Sequence, residues 1–248
     1  MFRKEHSHAG RISEPVNPIL ITGVGQRVGL HLARTFVGRG QPVIGTYRSH
    51  RDTIDELATL GVELHRCDFC EETQVQALID DVAAQHTGLR AIVHNASDWL
   101  PDKADYPPEE ILRRMMAVHV AAPYRINLGL AGLLKAGAPA DIVHIGDYVS
   151  RRGSQKHVAY AASKAAQDNL TLSFAALLAP EVKVNSIAPA LVLFNEDDGA
   201  EYREKTLRKS LMRREGGLDE MQHQVDYLLG SDYVTGRIIH MDGGRHLV

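Results

Sequence analysis

Short apolar runs alternate with longer segments of helical spacing along this chain. The first run, residues 18–22, ends in glycines, and the segment 26–38 that follows has apolar residues three and four positions apart. Such a run predicts a buried strand, and such a segment predicts a helix with one buried face. The predicted strands are 18–22, 42–46, 62–67, 89–94, 141–145, 182–187 and 237–240. The predicted helices are 26–38, 53–60, 72–86, 108–134, 159–178, 197–214 and 218–229.

The alternation of strands and helices predicts the fold class. Strands joined by helices form a mostly parallel sheet that is covered on both faces, with ligands beyond the carboxyl ends of the strands. We therefore predict a single α/β domain over residues 18–248. We interpret the polar residues 1–17 as a flexible lead-in without the apolar centre of a secretory signal.

Composition narrows the class of partner. The chain has 248 residues, of which 44% are hydrophobic and 24% charged, and its net charge is −3. These values fit a globular protein and argue against nucleic acid as the main partner. No apolar run reaches 18 residues, so we predict no membrane span. Two cysteines fit a reducing compartment, and we predict a cytoplasmic location.

The first turn predicts a dinucleotide site. Residues 22–29 read Thr-Gly-Val-Gly-Gln-Arg-Val-Gly between a predicted strand and a predicted helix. Glycines let the backbone approach a pyrophosphate, and the helix N-terminus offers free N–H groups and a positive dipole end. This context makes the glycine-rich turn more specific than it is alone.

The end of the second strand predicts which coenzyme binds. An Asp or Glu usually stands there when the coenzyme has no 2′-phosphate. This chain has Arg48 and Ser49 instead, and both can bind a phosphate. We predict NADPH over NADH, although Asp52 lies close enough to leave NADH open.

Tyr160 and Lys164 form a candidate catalytic pair. Their spacing of four places both on one face of a predicted helix. An adjacent ammonium stabilises a phenolate, so we expect Lys164 to lower the pKa of Tyr160 and to let the phenol transfer a proton near neutral pH. The lysine can also hold the coenzyme ribose.

With this tyrosine–lysine pair and the glycine-rich first turn, the chain resembles the classical short-chain dehydrogenase/reductase family over residues 18–246. Further matches are Asp68, Asn95-Ala96, Pro189 and Asp242-Gly243-Gly244. The resemblance implies a doubly wound Rossmann-type sheet of seven strands, contacts from Asp68 to adenine, and assembly as a tetramer or dimer. The predicted cofactor-binding residues are Gly23, Gln26, Arg27, Val28, Arg48, Ser49, Asp68, Phe69, Asn95, Ala96, Tyr160, Lys164 and Pro189.

Departures from the family pattern indicate the substrate. Four positions differ: Arg27 and Ala190 replace glycines, His119 replaces an asparagine, and Asp147 replaces a serine. A serine hydroxyl can donate to a substrate carbonyl, but an ionised carboxylate cannot. It would oppose the negative charge that develops on a ketone oxygen. Asp147 therefore favours a substrate with N–H groups, or a proton shared with Tyr160.

The chain's single tryptophan, Trp99, follows Asn95-Ala96-Ser97-Asp98. A flat indole there suits a flat substrate stacked on the nicotinamide. With Arg27 and the Asp–Tyr–Lys set, this segment resembles the pteridine-reductase branch of the family. That resemblance implies NADPH-dependent reduction of 7,8-dihydromonapterin to 5,6,7,8-tetrahydromonapterin, with weaker reduction of dihydrofolate. The implied catalytic residues are Tyr160, Lys164 and Asp147, and the implied substrate-binding residues are Arg27, Ser97, Trp99, Asp147 and Tyr160.

Alternatives stay open. A generic carbonyl reductase of the 3-oxoacyl type would share the coenzyme, although Asp147 argues against it. A non-catalytic NADP(H)-sensing protein would share the fold, but that class tends to lose the tyrosine or the lysine. Cys67 and Cys70 form a CxxC motif, for which we favour a strand end and a loop over a redox dithiol. We predict no metal site, because the candidate histidines fall on different elements: His94, His119, His144 and His157.

Overall fold

A computed structural model describes residues 16–248. Its seven strands form one sheet in the order β3-β2-β1-β4-β5-β6-β7, and all six pairings are parallel. The prediction of a mostly parallel seven-stranded sheet is confirmed. The predicted lead-in, residues 1–17, lies outside the described residues except for Val16 and Asn17. The strands β1 to β7 are Ile19–Ile21, Val43–Tyr47, Glu63–Arg66, Ala91–His94, Ala140–Ile145, Val182–Pro189 and Ile238–Met241.

Helices cover both faces of the sheet. Leu20 of β1 belongs to an apolar core that includes α3, α5 and α7. Its neighbours Ile19 and Ile21 point the other way, into a core that includes α1, α2 and α9. Successive side chains of a strand alternate between faces, so a strand covered on both sides must be apolar throughout. The helices α1 to α9 are Arg27–Gly38, Asp52–Thr59, Glu72–Gln85, Pro108–Met116, Ala122–Gly129, Ala131–Ala136, Val158–Leu178, Ala200–Leu207 and Leu218–Gly230.

The strand order creates a crevice at the carboxyl edge of the sheet. The chain runs outward from β1 through β2 to β3 and then returns to place β4 on the other side of β1. The loops after β1 and β4 therefore diverge, which is where ligands bind in this class of fold. Among residues 16–248, no helix is both long and apolar enough to cross a membrane.

The helical region predicted over 108–134 is present, but it is not one regular α-helix. After α4 the chain forms a π-helical turn, Ala117–Ala121, and then continues as α5 and α6. Pro123 accounts for the irregular turn, because proline has no N–H to donate to the carbonyl of His119 four residues earlier. The turn brings His119 into the interior, where it is fully buried.

The helix predicted over 197–214 is wrong in extent, since only α8, Ala200–Leu207, is helical. After α8 the backbone forms short turns, in which Lys209 N donates to Thr206 O, and it then bonds to distant segments. Met212 N donates to Gly243 O at 3.1 Å, and Gly216 N donates to Leu191 O at 3.0 Å. Helix α8 buries only Thr206, so it has little apolar surface to stabilise a longer helix.

Candidate active site

The first turn is shaped by two close backbone approaches. Gly23 has a φ of +75°, and a Cβ there would lie 2.9 Å from the Cα of Ala96. A Cβ at Gly29 would lie only 2.1 Å from the carbonyl oxygen of Gly23. The Asn95 side chain donates to the carbonyls of Thr22 and Gly23 at 2.9 and 3.0 Å, which joins the end of β4 to this turn. Only glycine fits at positions 23 and 29 without displacing the backbone.

A cleft of about 410 Å³ opens at the carboxyl edge of the sheet, between the turn after β1 and the loops after β2, β4, β5 and β6. Of the predicted site residues, Trp99 is not part of its wall. The structure therefore brings fifteen sequence-predicted residues together, which are Gly23, Gln26, Arg27, Val28, Arg48, Ser49, Asp68, Phe69, Asn95, Ala96, Ser97, Asp147, Tyr160, Lys164 and Pro189.

One end of the cleft is rich in hydrogen-bond donors. Arg48, Ser49 and Arg51 line it near the end of β2, and Gln26 lines it just before α1. Arg48 Nη1 lies 3.3 Å from Asp98 Oδ2, and Arg114 Nη2 lies 3.5 Å from the same oxygen. Cationic side chains beside a helix N-terminus fit the phosphates of a dinucleotide. The sequence analysis missed Asp98, which pairs with Arg48 across two loops.

Tyr160 and Asp147 form a direct pair at the other end of the cleft. The Tyr160 hydroxyl donates to Asp147 Oδ2 at 2.8 Å, while Asp147 Oδ1 accepts from Val149 N at 2.7 Å. Burial, the charge of Asp147 and this hydrogen bond raise the pKa of Tyr160 well above its usual value, and Ser97 opposes them. The expectation that Lys164 lowers the pKa of Tyr160 is therefore wrong, because burial and a carboxylate dominate.

Lys164 is buried beneath the cleft. Its Nζ donates to the carbonyl of Ile145 at 2.8 Å and to Gln167 Oε1 at 3.2 Å. It lies 5.9 Å from the centroid of the Tyr160 ring. Burial lowers the pKa of Lys164 to about 8, although Asp147 and Asp168 act in the opposite direction. One of its three N–H groups is left for a ligand in the cleft.

Behind the cleft lies His119, which the sequence predicts neither as a catalytic nor as a binding residue. Its Nε2 lies 2.8 Å from Ser97 Oγ, and its Nδ1 lies 2.8 Å from Ser163 Oγ. Its ring packs edge-on against Tyr160, with centroids 5.4 Å apart. The contacts come from the loop after β4, from α7 and from the π-helical turn, so spacing along the chain does not reveal them.

Two predicted substrate residues bind to other protein groups in this structure. Trp99 is 61% exposed, and its indole stacks on His157 with centroids 4.2 Å apart. Arg27 has a φ of 51° and donates to Asn195 Oδ1 at 2.6 Å and to the carbonyl of Leu193 at 2.9 Å. A positive φ is unfavourable for a residue with a side chain, which accounts for the glycine that the family usually has here.

The two cysteines and the other candidate histidines do not add reactive groups to the cleft. Burial raises the pKa of Cys67 to about 12 and also raises that of Cys70, so both thiols stay protonated at neutral pH. His94 and His144 stack in the core with centroids 5.0 Å apart. Within residues 16–248, no three His, Cys, Asp or Glu side chains are grouped so that they could hold a metal ion.

Comparison with known proteins assigns the class. The family model described as enoyl-(acyl carrier protein) reductase matches residues 23–246. The chain belongs to the short-chain dehydrogenase/reductase family.

Within the family, the chain is similar to dihydromonapterin reductases. It is 53% identical to the dihydromonapterin reductase of Escherichia coli strain K12 over 93% of this chain and 97% of that one. It is 54% identical, with the same coverage, to the dihydromonapterin reductase of Shigella flexneri serotype 5b.

Solved structures agree with this placement. FolM alternative dihydrofolate reductase 1 from Brucella suis, crystallised with NADP, has a TM-score of 0.84 at 26% identity, covering 94% of this chain and 96% of that one. The homologous enzyme from Brucella canis, also with NADP, has a TM-score of 0.84 at 27% identity and covers 94% of each chain.

Proposed function

We propose that the protein reduces 7,8-dihydromonapterin to 5,6,7,8-tetrahydromonapterin with NADPH, and dihydrofolate more weakly. The dihydromonapterin reductases at 53–54% identity support the first substrate. The Brucella enzymes named alternative dihydrofolate reductases support the second. A single observation in the site carries the proposal independently, namely the hydrogen bond from Tyr160 to Asp147.

This bond determines which substrates the site favours. A ketone that receives a hydride develops negative charge on oxygen and needs hydrogen-bond donors at that point. Here the tyrosine hydrogen points to a carboxylate, and the carboxylate adds its own negative charge. A dihydropterin presents ring N–H and amino groups, which need acceptors. The pair of Asp147 and Tyr160 therefore fits the heterocycle and opposes the ketone of a 3-oxoacyl reductase.

The hydrogen-bond donors at the opposite end of the cleft favour NADPH as the coenzyme. When bound, reduced nicotinamide would supply a hydride to C6 of the pterin, and the proton that N5 must gain would come from solvent water, because the Tyr160 hydrogen is bonded to Asp147. Arg48 and Ser49 would hold the 2′-phosphate, and the N-terminus of α1 would hold the pyrophosphate. Lys164 would donate its remaining N–H to a ribose hydroxyl. Tyr160 and Lys164 both line the cleft. The presence of both residues supports an enzyme over a non-catalytic coenzyme-sensing protein.

Trp99 and Arg27 are proposed to contact the substrate. Trp99 follows Ser97 of the cleft wall by two residues, and its indole is 61% exposed and stacks on His157. A flat substrate ring is proposed to stack on this exposed indole. Stacking would orient the acceptor carbon, and orientation contributes strongly to rate. Arg27 lines the cleft beside the segment after β6.

We also propose that residues 18–248 act as one domain and that the domain forms a dimer or tetramer. Apolar side chains on α5 and α7 support assembly, since Leu128, Leu172 and Leu177 are all exposed. Exposed apolar patches of this kind commonly mark protein interfaces.

A steady-state panel tests the reaction. The loss of NADPH absorbance would be followed with 7,8-dihydromonapterin, 7,8-dihydrobiopterin, dihydrofolate and a 3-oxoacyl thioester. We expect kcat/KM to be highest for dihydromonapterin, lower for dihydrofolate and lowest for the thioester. Fastest turnover of the thioester would overturn the proposal.

The variant Asp147→Ser tests the observation on which the proposal rests. Serine is the family residue at this position, so the cleft can accept it. We expect kcat/KM for the dihydropterin to fall about 10- to 100-fold, because a charge-assisted hydrogen bond contributes about 1.5–3 kcal/mol. Asp105→Ser, in an exposed loop outside the cleft wall, is the control. Equal or faster pterin reduction by Asp147→Ser would refute the role of the carboxylate.

A further inference from the structure

Beyond the proposed function, on which this inference rests, one buried group has no assigned role. We propose that His119 is a positioning residue that fixes the hydroxyl hydrogen of Ser97, so that Ser97 presents only lone pairs to the cleft. The substrate must then meet Ser97 with an N–H group. His119 thus contributes to specificity for an N–H-bearing heterocycle without touching it.

The hydrogen bonds of Ser163 determine which ring nitrogen of His119 carries the hydrogen. Its hydroxyl donates to the carbonyl of Tyr160 at 2.7 Å, as serines in helices often do with an earlier turn. That hydrogen is used, so Ser163 Oγ must accept from His119 Nδ1 at 2.8 Å. This neighbour requires the imidazole hydrogen to be on Nδ1.

The position of this hydrogen determines whether His119 Nε2 donates or accepts. In the neutral ring, a hydrogen on Nδ1 leaves Nε2 as an acceptor. Burial and the charge of Lys164 lower the pKa of His119 well below its usual value, so the ring stays neutral. The hydroxyl of Ser97 therefore donates to Nε2 at 2.8 Å, a shorter contact than its 3.4 Å distance to the carbonyl of Asp98. Asp98 N reaches the same nitrogen at 3.4 Å.

The hydroxyl groups of Tyr160 and Ser97 determine what this wall of the cleft presents to a ligand. The hydroxyl of Tyr160 donates to Asp147. Ser97 also faces Tyr160 and lowers its pKa, but its hydroxyl has its shortest hydrogen-bond contact with His119 Nε2 at 2.8 Å. This wall consequently offers oxygen acceptors and no free hydroxyl hydrogen. An asparagine at position 119, usual in the family, can either accept from or donate to Ser97 by turning its amide, so it does not fix the direction of the Ser97 hydrogen.

A double-mutant cycle tests the coupling. His119→Asn should raise KM for 7,8-dihydromonapterin about 3- to 10-fold, the effect of one hydrogen bond, while KM for NADPH changes less than about 2-fold. Ser97→Ala should have a similar effect. If His119 acts through Ser97, the double variant should be no worse than Ser97→Ala alone. Multiplied effects in the double variant would show a purely structural role and overturn the inference.

A matched control separates positioning from support of the fold. His144 is also a fully buried histidine, and its Nδ1 lies 2.8 Å from Thr171 Oγ1. His144→Asn should lower Tm as His119→Asn does, yet leave KM for the dihydropterin unchanged. A rise in KM of equal size in both variants would contradict the inference.

The tautomer can be measured without turnover. In ¹⁵N spectra of histidine-labelled protein, the signals lost in His119→Asn should show a protonated Nδ1 and an unprotonated Nε2 from pH 8 to pH 5. A protonated Nε2, or titration within this range, would overturn the inference even if pterin reduction is normal. If the wild type reduces no dihydropterin, the proposed function fails, whereas the spectrum still decides the state of His119.

Discussion

Replacement of Arg48 by alanine should abolish most of the preference for NADPH. The Arg48 side chain is 51% exposed at the end of β2, and its Nη1 lies 3.3 Å from Asp98 Oδ2. An exposed ion pair of this length contributes about 0–1 kcal/mol, so a phosphate can replace the carboxylate at little cost. The 2′-phosphate carries more charge than Asp98 and can accept two parallel N–H bonds from one guanidinium.

The expected magnitude follows from these two contributions. Charge-assisted hydrogen bonds contribute about 1.5–3 kcal/mol, and release of Asp98 removes at most about 1 kcal/mol. The net value of about 0.5–3 kcal/mol corresponds to a factor of about 2 to 150 in affinity. Arg48→Ala should weaken NADPH binding by that factor. NADH lacks the 2′-phosphate, so its affinity should change by less than about 2-fold.

The assay is the ratio of kcat/KM for NADPH to that for NADH, measured with the same dihydropterin. Arg113→Ala is a suitable control, because it removes the same charge from an exposed arginine that pairs with Glu110 outside the cleft. The control should leave the ratio unchanged. A ratio that falls equally in both variants would reflect net charge alone, and an unchanged ratio in Arg48→Ala would refute the assignment.

Three further predictions concern stability, the coenzyme turn and pH. Burial lowers the pKa of His94 from 6.5 to about 4, so the folded protein binds fewer protons than the unfolded chain between these values. The contribution of His94 to stability is therefore full above pH 6.5 and should fall by up to about 3 kcal/mol as the pH falls to 4, so urea unfolding should show a shallower fall for His94→Asn than for the wild type. Gly29→Ala should weaken NADPH binding at least about 10-fold or prevent folding, because the new Cβ would collide with the carbonyl oxygen of Gly23. The control is Gly38→Ala, whose Cβ would have no atom within 4 Å and which should leave NADPH fluorescence titrations unchanged. The pKa of Lys164 is about 8, so kcat/KM for NADPH should decline above that pH, and a profile flat to about pH 9.5 would contradict its charge-dependent role.

Periodicity was sufficient to predict the sheet but not the breaks in helices. The strand pattern depends on short runs that are apolar throughout, and such runs leave little choice of element. The region 108–134 has a helical pattern, yet Pro123 interrupts its hydrogen bonds. That proline is visible in the sequence and could have indicated the irregular turn before α5. The end of α8 could not be anticipated from periodicity, because the residues after it form local turns and then bond to Gly243 of a distant loop.

Residue types identified the wall of the cleft but not its electrostatics. The spacing of Tyr160 and Lys164 shows that both face one side of α7, but it does not show how deeply each is buried. Burial and contact with Asp147 determine that the pKa of the phenol rises. His119 illustrates the same limit, since its partners Ser97 and Ser163 lie 22 and 44 residues away along the chain.

The arrangement around Tyr160 shows how one fold can accommodate opposite polarities of substrate. The backbone that positions Tyr160 and Lys164 belongs to α7, and the side chain at position 147 bonds to the Tyr160 hydroxyl and to Val149 N but not to that backbone. Position 147 lies on the adjoining loop after β5, where a side chain can change while the sheet register stays the same. A serine there would add a donor beside the phenol, and Asp147 instead receives the phenol's hydrogen. Since the hydrogen of Ser97 is also directed inward, the reversal from donor to acceptor extends across the wall. Two neighbouring hydroxyl groups thus act as acceptors because of groups behind or beside them, and not because of their own chemistry.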